Sequence, residues 1–129
     1  MTIILVLFLG IIVPIRMITK VYEEITPEGR YNNYKTFILE SVDMWTKDRE
    51  NGFVNQKTII NWYETPNDKG ARPMDKYPDF IYEEIKNATH IVFDEYATVK
   101  DREIIKKEVG KRLDSKKGEI ITKLENSKK

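Results

Sequence analysis

Residues 79–97 read DFIYEEIKNATHIVFDEYA and carry the clearest secondary-structure pattern in the chain. Their apolar side chains recur at steps of three or four residues, which places them on one side of an α-helix. Asp79 is the expected N-cap of this helix, because its side chain can accept a hydrogen bond from a free backbone N–H. The stripe continues to position 99 and comprises Ile81, Ile85, Ala88, Val92, Tyr96 and Val99. We therefore predict a helix over residues 79–97 and a mostly α-helical protein.

The segments before this stretch extend the helical prediction. Residues 30–50 repeat aromatic and branched apolar side chains at helical spacing, and Asn51-Gly52 is the expected stop signal. Residues 53–64 are rich in β-branched and aromatic side chains, so strand and helix both stay open, with helix favoured by length. Residues 65–78 hold three of the five prolines and are predicted to form a loop.

The segment after it predicts one or two more helices. Residues 98–101 resemble a cap, and Ile105, Val109 and Leu113 then fall on one side of a helix. Gly118 is expected to end that helix, because glycine is the common residue just beyond a helix C-terminus. A last short turn could dock through Ile120, Ile121 and Leu124. The body is thus expected to contain three to five helices.

The N-terminus differs sharply from this body. Residues 3–15 read IILVLFLGIIVPI, and Arg16 is the only charged residue before position 19. A run of this length is close to the shortest helix that crosses a bilayer, and we predict a single transmembrane anchor. A secretory signal peptide and a buried core segment are the alternatives. The anchor is assigned to Ile3, Ile4, Leu5, Val6, Leu7, Phe8, Leu9, Ile11, Ile12, Val13 and Ile15.

The charge of the chain is also divided. The 129 residues have a formal net charge of +1. Residues 1–99 hold 11 basic and 15 acidic side chains, whereas residues 100–129 hold 11 basic and 6 acidic ones. These patterns predict a membrane anchor and juxtamembrane helix over 1–25, a helical body over 30–97 and a basic C-terminal helical tail over 98–129. Arg16 and Lys20 follow the anchor, so the positive-inside rule places the bulk of the chain in the cytoplasm.

Few residues suggest chemistry. The chain has one His and no Cys, which excludes disulfides and a zinc site of the usual His/Cys type within one chain. Glu83, Asn87, His90 and Asp94 share one side of the predicted helix. An oxygen-rich cation site or a hydrolase using His90 could be built from them, but a solvated helix face is the favoured interpretation. We expect no enzymatic activity, no metal and no cofactor.

Two groups of side chains suggest contact surfaces instead. The candidate basic surface consists of Lys100, Lys107, Lys111, Lys116 and Lys117. Lysines of this kind can bind anionic lipid or a nucleic-acid backbone, although a solvated mixed-charge helix is the default. The candidate interface aromatics are Tyr31, Tyr34, Trp45, Trp62 and Tyr63. Tyr and Trp suit interfaces, but at helical spacing they more often belong to a core.

These features favour a membrane-anchored, non-enzymatic interaction or regulatory protein that presents a small helical domain to a protein partner. The second hypothesis is a membrane-tethered nucleic-acid binder that uses the basic tail. The third is a lysis or export accessory that faces outside. A homo-oligomer is compatible with each of them.

Overall fold

The computed structural model describes residues 26–127. This range contains no strand, and its helices confirm the prediction of a mostly helical protein. We number the α-helices α1 (Pro27–Glu50), α2 (Gln56–Glu64), α3 (Asp79–His90), α4 (Arg102–Ser115) and α5 (Lys117–Asn126). A 3-10 helix covers Pro73–Lys76, and a π-helix covers Ile91–Glu95.

The predicted anchor lies in residues 1–25, outside the described residues. Between residues 26 and 127, no helix combines the length and the apolar character that a membrane crossing requires. Membrane attachment of the chain therefore stays a prediction from the sequence.

Helix α1 begins three residues earlier than predicted. Thr26 is its N-cap, and the Thr26 hydroxyl accepts a hydrogen bond from the Gly29 N–H at 3.0 Å. Pro27 occupies the first helical position, where a missing N–H costs nothing. The Thr-Pro pair is therefore a start signal for α1. The predicted stop is confirmed, because Asn51 caps the helix and Gly52 adopts the left-handed conformation at φ 77°.

One stripe of α1 forms the centre of the core. Its inward side chains are all 2% exposed or less: Tyr31, Ile38, Val42 and Trp45. Helices α3, α4 and α5 and the π-helix all pack against α1. Helix α2 packs instead against α3 and the 3-10 helix.

The basic C-terminal segment contributes to this same core. Ile105 and Leu124 are fully buried, and Val109, Leu113 and Ile120 are at most 5% exposed. Polar contacts also join α4 to α1, since the Tyr31 hydroxyl donates to the Asp114 carboxylate at 2.6 Å. The outward charges of residues 102–126 therefore sit on helices whose inner faces are apolar and buried.

The predicted helix over 79–97 departs from α geometry at its C-terminal end. Asp79 is the first helical residue rather than the N-cap, which is Pro78. The chain continues past His90 as a π-helix, in which the Tyr96 N–H donates to the Ile91 carbonyl at 2.8 Å. A π turn is wider than an α turn, so the two consecutive steps of four residues in the stripe fit it.

Arg49 of α1 holds the end of the π-helix in place. Its guanidinium donates to the Val92 carbonyl at 2.6 Å, to the Tyr96 carbonyl at 2.9 Å and to the Val99 carbonyl. The carbonyls at a helix C-terminus lack partners within the helix. One side chain thus satisfies the Val92 and Tyr96 carbonyls at the end of the helix and the Val99 carbonyl beyond it, and it joins α1 to the segment that leads into α4.

The boundary between α4 and α5 falls before the predicted one. Helix α4 ends at Ser115 and α5 begins at Lys117, so Gly118 lies inside the first turn of α5 and does not end α4. The Ser115 hydroxyl donates to the Arg112 carbonyl at 2.6 Å, and the Lys116 N–H donates to Leu113 at 2.9 Å. These local bonds replace the α-helical pattern and turn the chain.

Residues 53–64 contain helix α2, the favoured of the two predictions. Its N-cap is Asn55, whose side-chain oxygen accepts from the Thr58 N–H at 2.9 Å. The predicted loop over 65–78 also contains the short 3-10 helix, which begins at Pro73.

Adjacent isoleucines on α4 test whether the basic segment is part of the core. Ile105 is fully buried, and Ile104 is 51% exposed. We expect Ile105→Ala to lower the free energy of unfolding by roughly 2–5 kcal/mol, because it leaves a cavity. Ile104→Ala should change it by about 0.5 kcal/mol or less. Urea unfolding followed by circular dichroism measures both, and equal small effects would contradict the packing of α4.

Candidate functional site

Trp62 is a large aromatic side chain on the described surface that borders a cleft. It lies near the C-terminal end of α2 and is 62% exposed, although large aromatic side chains are normally well buried. One edge of the indole contacts Tyr63, whose ring is 4.9 Å away in a T-shaped arrangement. The Trp62 indole therefore rests against Tyr63, and most of its remaining surface is exposed to solvent.

A cluster of aromatic rings fixes the position of α2. The Tyr63 ring is 5.8 Å from the Tyr82 ring of α3 and 6.4 Å from the Tyr77 ring. The Tyr82 hydroxyl also donates to the Glu64 carboxylate at 2.8 Å. Since Tyr63 and Tyr82 are each only 4% exposed, these contacts form a rigid base for the neighbouring Trp62.

The loop after α2 forms the facing wall. The Asn67 side-chain oxygen accepts from the Lys69 N–H at 2.8 Å and from the Ala71 N–H at 3.1 Å, an arrangement typical of asparagine turns. Gly70 closes the turn at φ 82°, a conformation that favours glycine. The loop is therefore held by its own hydrogen bonds and is shaped before any ligand arrives.

Together these elements enclose a cleft of about 380 Å³, which we call the Trp62 groove. It is lined by Trp62, Thr65, Asn67, Ala71, Arg72, Pro73 and Lys76. Its size is near the lower end of the usual range for ligand sites.

The groove combines an apolar surface with one uncompensated positive charge. Arg72 is bound to Asp75, with a shortest N–O distance of 2.9 Å, and this ion pair lowers the pKa of the Asp75 carboxyl. Lys76 is exposed and makes no ion pair with any residue between 26 and 127. The groove can therefore receive an apolar side chain against Trp62 together with a carboxylate near Lys76.

A second groove, of about 410 Å³, lies between α3 and α4. Its charged side chains bind one another: Lys116 to Glu84 at 2.9 Å, Arg112 to Glu95 at 2.6 Å and Arg112 to Glu108 at 2.7 Å. The Arg112 guanidinium lowers the pKa of both of its carboxylate partners. Because these side chains already form ion pairs with one another, this groove is a less favourable site for a charged ligand than the Trp62 groove.

Two residues of the polar stripe predicted over residues 79–97, Asn87 and His90, line this second groove. His90 Nδ1 is 2.7 Å from the Asp94 carboxylate, whereas Glu83 pairs with Lys86 at 2.7 Å. The nearby Ser115 hydroxyl is engaged by the Arg112 carbonyl. Within residues 26–127, no cluster of three or more His, Asp or Glu side chains has the arrangement of a metal site.

The candidate interface aromatics separate into core and surface. Tyr31, Trp45 and Tyr63 are 4% exposed or less, so their placement at an interface is corrected to the core. Helical spacing brings them onto buried faces, as the sequence also allowed. Tyr34 is half-buried and packs its ring 6.4 Å from Tyr77. Trp62 alone of the five is exposed.

The candidate basic residues are also unequal. Lys100, Lys107 and Lys111 are exposed. Lys116 is paired with Glu84, and Lys117 lies 3.3 Å from Glu28 and 5.6 Å from the centre of the Tyr31 ring. The last two are therefore held within the structure rather than free on its surface.

Sequence reasoning missed the wall of the Trp62 groove. Asn67, Arg72 and Lys76 lie in a segment that was predicted only as a loop. The turn residues Asn67 and Gly70 were a signal that the loop is ordered. Nothing in their spacing, however, indicates that the loop folds back toward Trp62.

In comparisons with known proteins, no family model, no curated protein and no solved structure matches the chain.

The aromatic cluster behind Trp62 gives a pH-dependent prediction. Burial raises the pKa of Tyr63 to about 12, and burial followed by the Glu64 hydrogen bond raises that of Tyr82. A tyrosine of the unfolded chain loses its proton near pH 10. The unfolded state is thus favoured progressively as pH rises from 10 toward 12, and the free energy of unfolding should fall over that interval.

Tyr63→Phe isolates this effect. The variant should lose less stability than the wild type between about pH 9.5 and pH 11, an interval that contains the pKa of an unfolded-state tyrosine, in urea unfolding at each pH. Identical slopes for the two proteins would show that Tyr63 ionises as easily in the folded state as in the unfolded one.

Proposed function

We propose that the protein is a membrane-anchored, non-enzymatic interaction protein whose Trp62 groove binds a segment of a protein partner at the cytoplasmic face. The exposure of Trp62 carries this proposal. An indole left in water beside a preformed groove is the kind of side chain that dominates binding energy when a partner covers it.

The structure around the groove supports a binding role for Trp62 rather than an incidental exposure of its side chain. The indole is supported by Tyr63, and the loop opposite is closed by the Asn67 turn. Both walls are therefore rigid, so a partner would lose little entropy in ordering them. A mobile surface tryptophan would lack this support.

The chemistry of the groove defines the partner segment. An apolar or aromatic side chain would cover Trp62 and Pro73, and Asn67 and Thr65 offer polar contacts at the rim. The ammonium of Lys76, which makes no ion pair within residues 26–127, favours a carboxylate beside that apolar side chain. We therefore infer a short segment that carries an apolar residue next to Asp or Glu.

Residues 3–15 supply the proposed membrane attachment, and Arg16 with Lys20 supplies the proposed orientation. Tethering would raise the local concentration of the Trp62 groove for partners at the same surface. The outward-facing lysis or export accessory differs from this proposal only in topology and stays an untested alternative.

Peptide selection on the purified full chain tests the groove. From a random peptide library, we expect binders that share an apolar residue adjacent to Asp or Glu. Trp62→Ala should weaken them by about 30-fold, equivalent to the loss of roughly 2 kcal/mol at an interface hot spot. Lys76→Glu should weaken peptide binding more than Lys57→Glu does. Lys57→Glu is the matched control, because it reverses the charge of another exposed lysine.

Phe53→Ala is the control for loss of an exposed aromatic, since Phe53 is 76% exposed and lies outside the groove. It should leave the affinity of the selected peptides unchanged. If these peptides bind Trp62→Ala and the wild type equally, the Trp62 groove is not the binding site.

Membrane attachment has a separate test. Leu7→Lys with Ile11→Lys places two charges in the apolar run, each costing about 2.5–3.5 kcal/mol near the centre of a membrane helix. We expect the double variant to leave the carbonate-washed membrane pellet, while Phe53→Lys stays in it. A wild-type protein found wholly in the supernatant would overturn the anchor and leave the peptide result standing.

A further inference from the structure

The outward face of α4 carries lysines around an exposed isoleucine. Ile104, Lys107 and Lys111 are separated by three and four residues, so they project from one side of the helix. All three are exposed, and Ile104 is 51% exposed. We call these three residues the α4 basic face. Lys100 lies outside it, because the chain is extended at Asp101 and the helix begins only at Arg102.

The acidic side chains around this face do not neutralise it. Lys107 and Lys111 make no ion pair with any of the residues 26–127, so their charge is available to a partner. Each flanking carboxylate is bound to a cation outside the face: Glu103 to Lys106 at 3.7 Å, Glu108 to Arg112 at 2.7 Å and Asp114 to Lys35 at 2.9 Å.

We propose that the α4 basic face docks the helical domain onto an anionic membrane surface, an inference that rests on the membrane anchor proposed above for residues 3–15. Lys107 and Lys111 contact lipid phosphate or carboxylate groups, and Ile104 enters the boundary between the headgroups and the acyl chains. Basic and apolar side chains on one helix face are typical of helices that lie at this boundary. The proposal goes beyond the Trp62 groove, which is formed by α2 and the following loop.

The exposed isoleucine favours lipid over nucleic acid. A duplex backbone offers no apolar layer for Ile104, and the carboxylates of Glu103 and Asp114 would approach the next phosphates. Lipids can instead rearrange laterally around a carboxylate. Two lysines are also few for a nucleic-acid site, which commonly neutralises several phosphates. They suffice on a membrane if an anchor already holds the chain nearby.

The buried inner side of α4 gives the docked domain a defined orientation. Ile105 and Val109 are at most 2% exposed and lie on the side of α4 opposite Lys107 and Lys111. The lysines therefore can reach the membrane without unfolding any part of the core. Docking would restrict the rotation of the domain about its anchor and set the direction in which other surfaces face.

A fluorescent label at position 104 tests this docking in the full chain. The chain has no Cys, so Ile104→Cys accepts a single environment-sensitive dye. The labelled protein is reconstituted into phosphatidylcholine vesicles with or without phosphatidylserine. We expect a blue shift and quenching by a lipid-phase quencher only when phosphatidylserine is present, both reduced by high salt because surface charges are screened.

Lys107→Glu with Lys111→Glu should lower the ratio of docked to undocked protein by at least about 25-fold, from roughly a factor of five per lysine near an anionic surface. Lys47→Glu with Lys57→Glu is the matched control, because it reverses two exposed lysines on α1 and α2. The control pair should retain the blue shift, and circular dichroism should show equal helix content in both double variants.

Several results would overturn the proposal. They are an emission spectrum that is the same in both types of vesicle and an equal loss of the blue shift in the two double variants. Failure of the full chain to associate with either type of vesicle would overturn the anchor proposed for residues 3–15, and the docking with it. If Lys107→Glu with Lys111→Glu left the dye signal on vesicles unchanged but lost binding to a DNA duplex, the α4 basic face would be assigned to nucleic acid instead.

Discussion

Burial of one stripe of α1 is the constraint on which the described fold depends. Tyr31, Ile38, Val42 and Trp45 are nearly inaccessible to water, and the helices that cover them are short. Helix α3 has 12 residues and α5 has 10, lengths at which an isolated helix is marginal in water. These helices therefore depend on packing against α1 for their stability. In turn, they shield the apolar side chains of α1 from water.

Polar contacts at the two ends of α1 hold the same arrangement. Near its N-terminus, Tyr31 and Lys35 both bind Asp114, and these bonds lower the pKa of the Asp114 carboxyl. Near its C-terminus, Arg49 binds three carbonyls of the π-helix and the segment after it. Buried polar groups are satisfied as well, since no buried side-chain nitrogen or oxygen among the described residues lacks a hydrogen-bond partner. The core thus combines apolar burial with specific polar bonds that join α1 to α4 and to the π-helix segment.

The Trp62 groove and the α4 basic face, on which the proposals above rest, are not used by this packing. Trp62 is carried by α2, which contacts α3 and the 3-10 helix rather than the centre of the core. Lys107 and Lys111 project from the opposite side of a helix whose inner face is fully engaged. We propose a division of labour on this basis: α1 and its partners provide a rigid body, the Trp62 groove binds a partner, and the α4 basic face orients the body on the membrane.

Much of the fold could be predicted because apolar periodicity reports burial directly. Ile81, Ile85, Ala88 and Val92 all lie in the core that their spacing predicts. Periodicity could not separate α from π geometry after His90, because steps of four residues fit both. It also could not show that Tyr63 is buried and Trp62 is exposed. The two are adjacent aromatic residues on a short helix, so the apolar pattern does not decide which of them faces the core. The groove itself depends on where the loop after α2 folds, which is set by tertiary contacts such as those between Tyr63, Tyr77 and Tyr82.

The basic C-terminal helices and α1 share one core and should therefore unfold as one cooperative structure. Native-state hydrogen exchange of the full chain tests this through the opening free energies of individual backbone amides. We expect the slowest amides of α4 around Ile105 and Val109 to open with the same free energy as those of α1 around Ile38 and Val42. If the α4 amides exchanged through an opening several kcal/mol cheaper, while α1 stayed protected, the shared core described here would be contradicted.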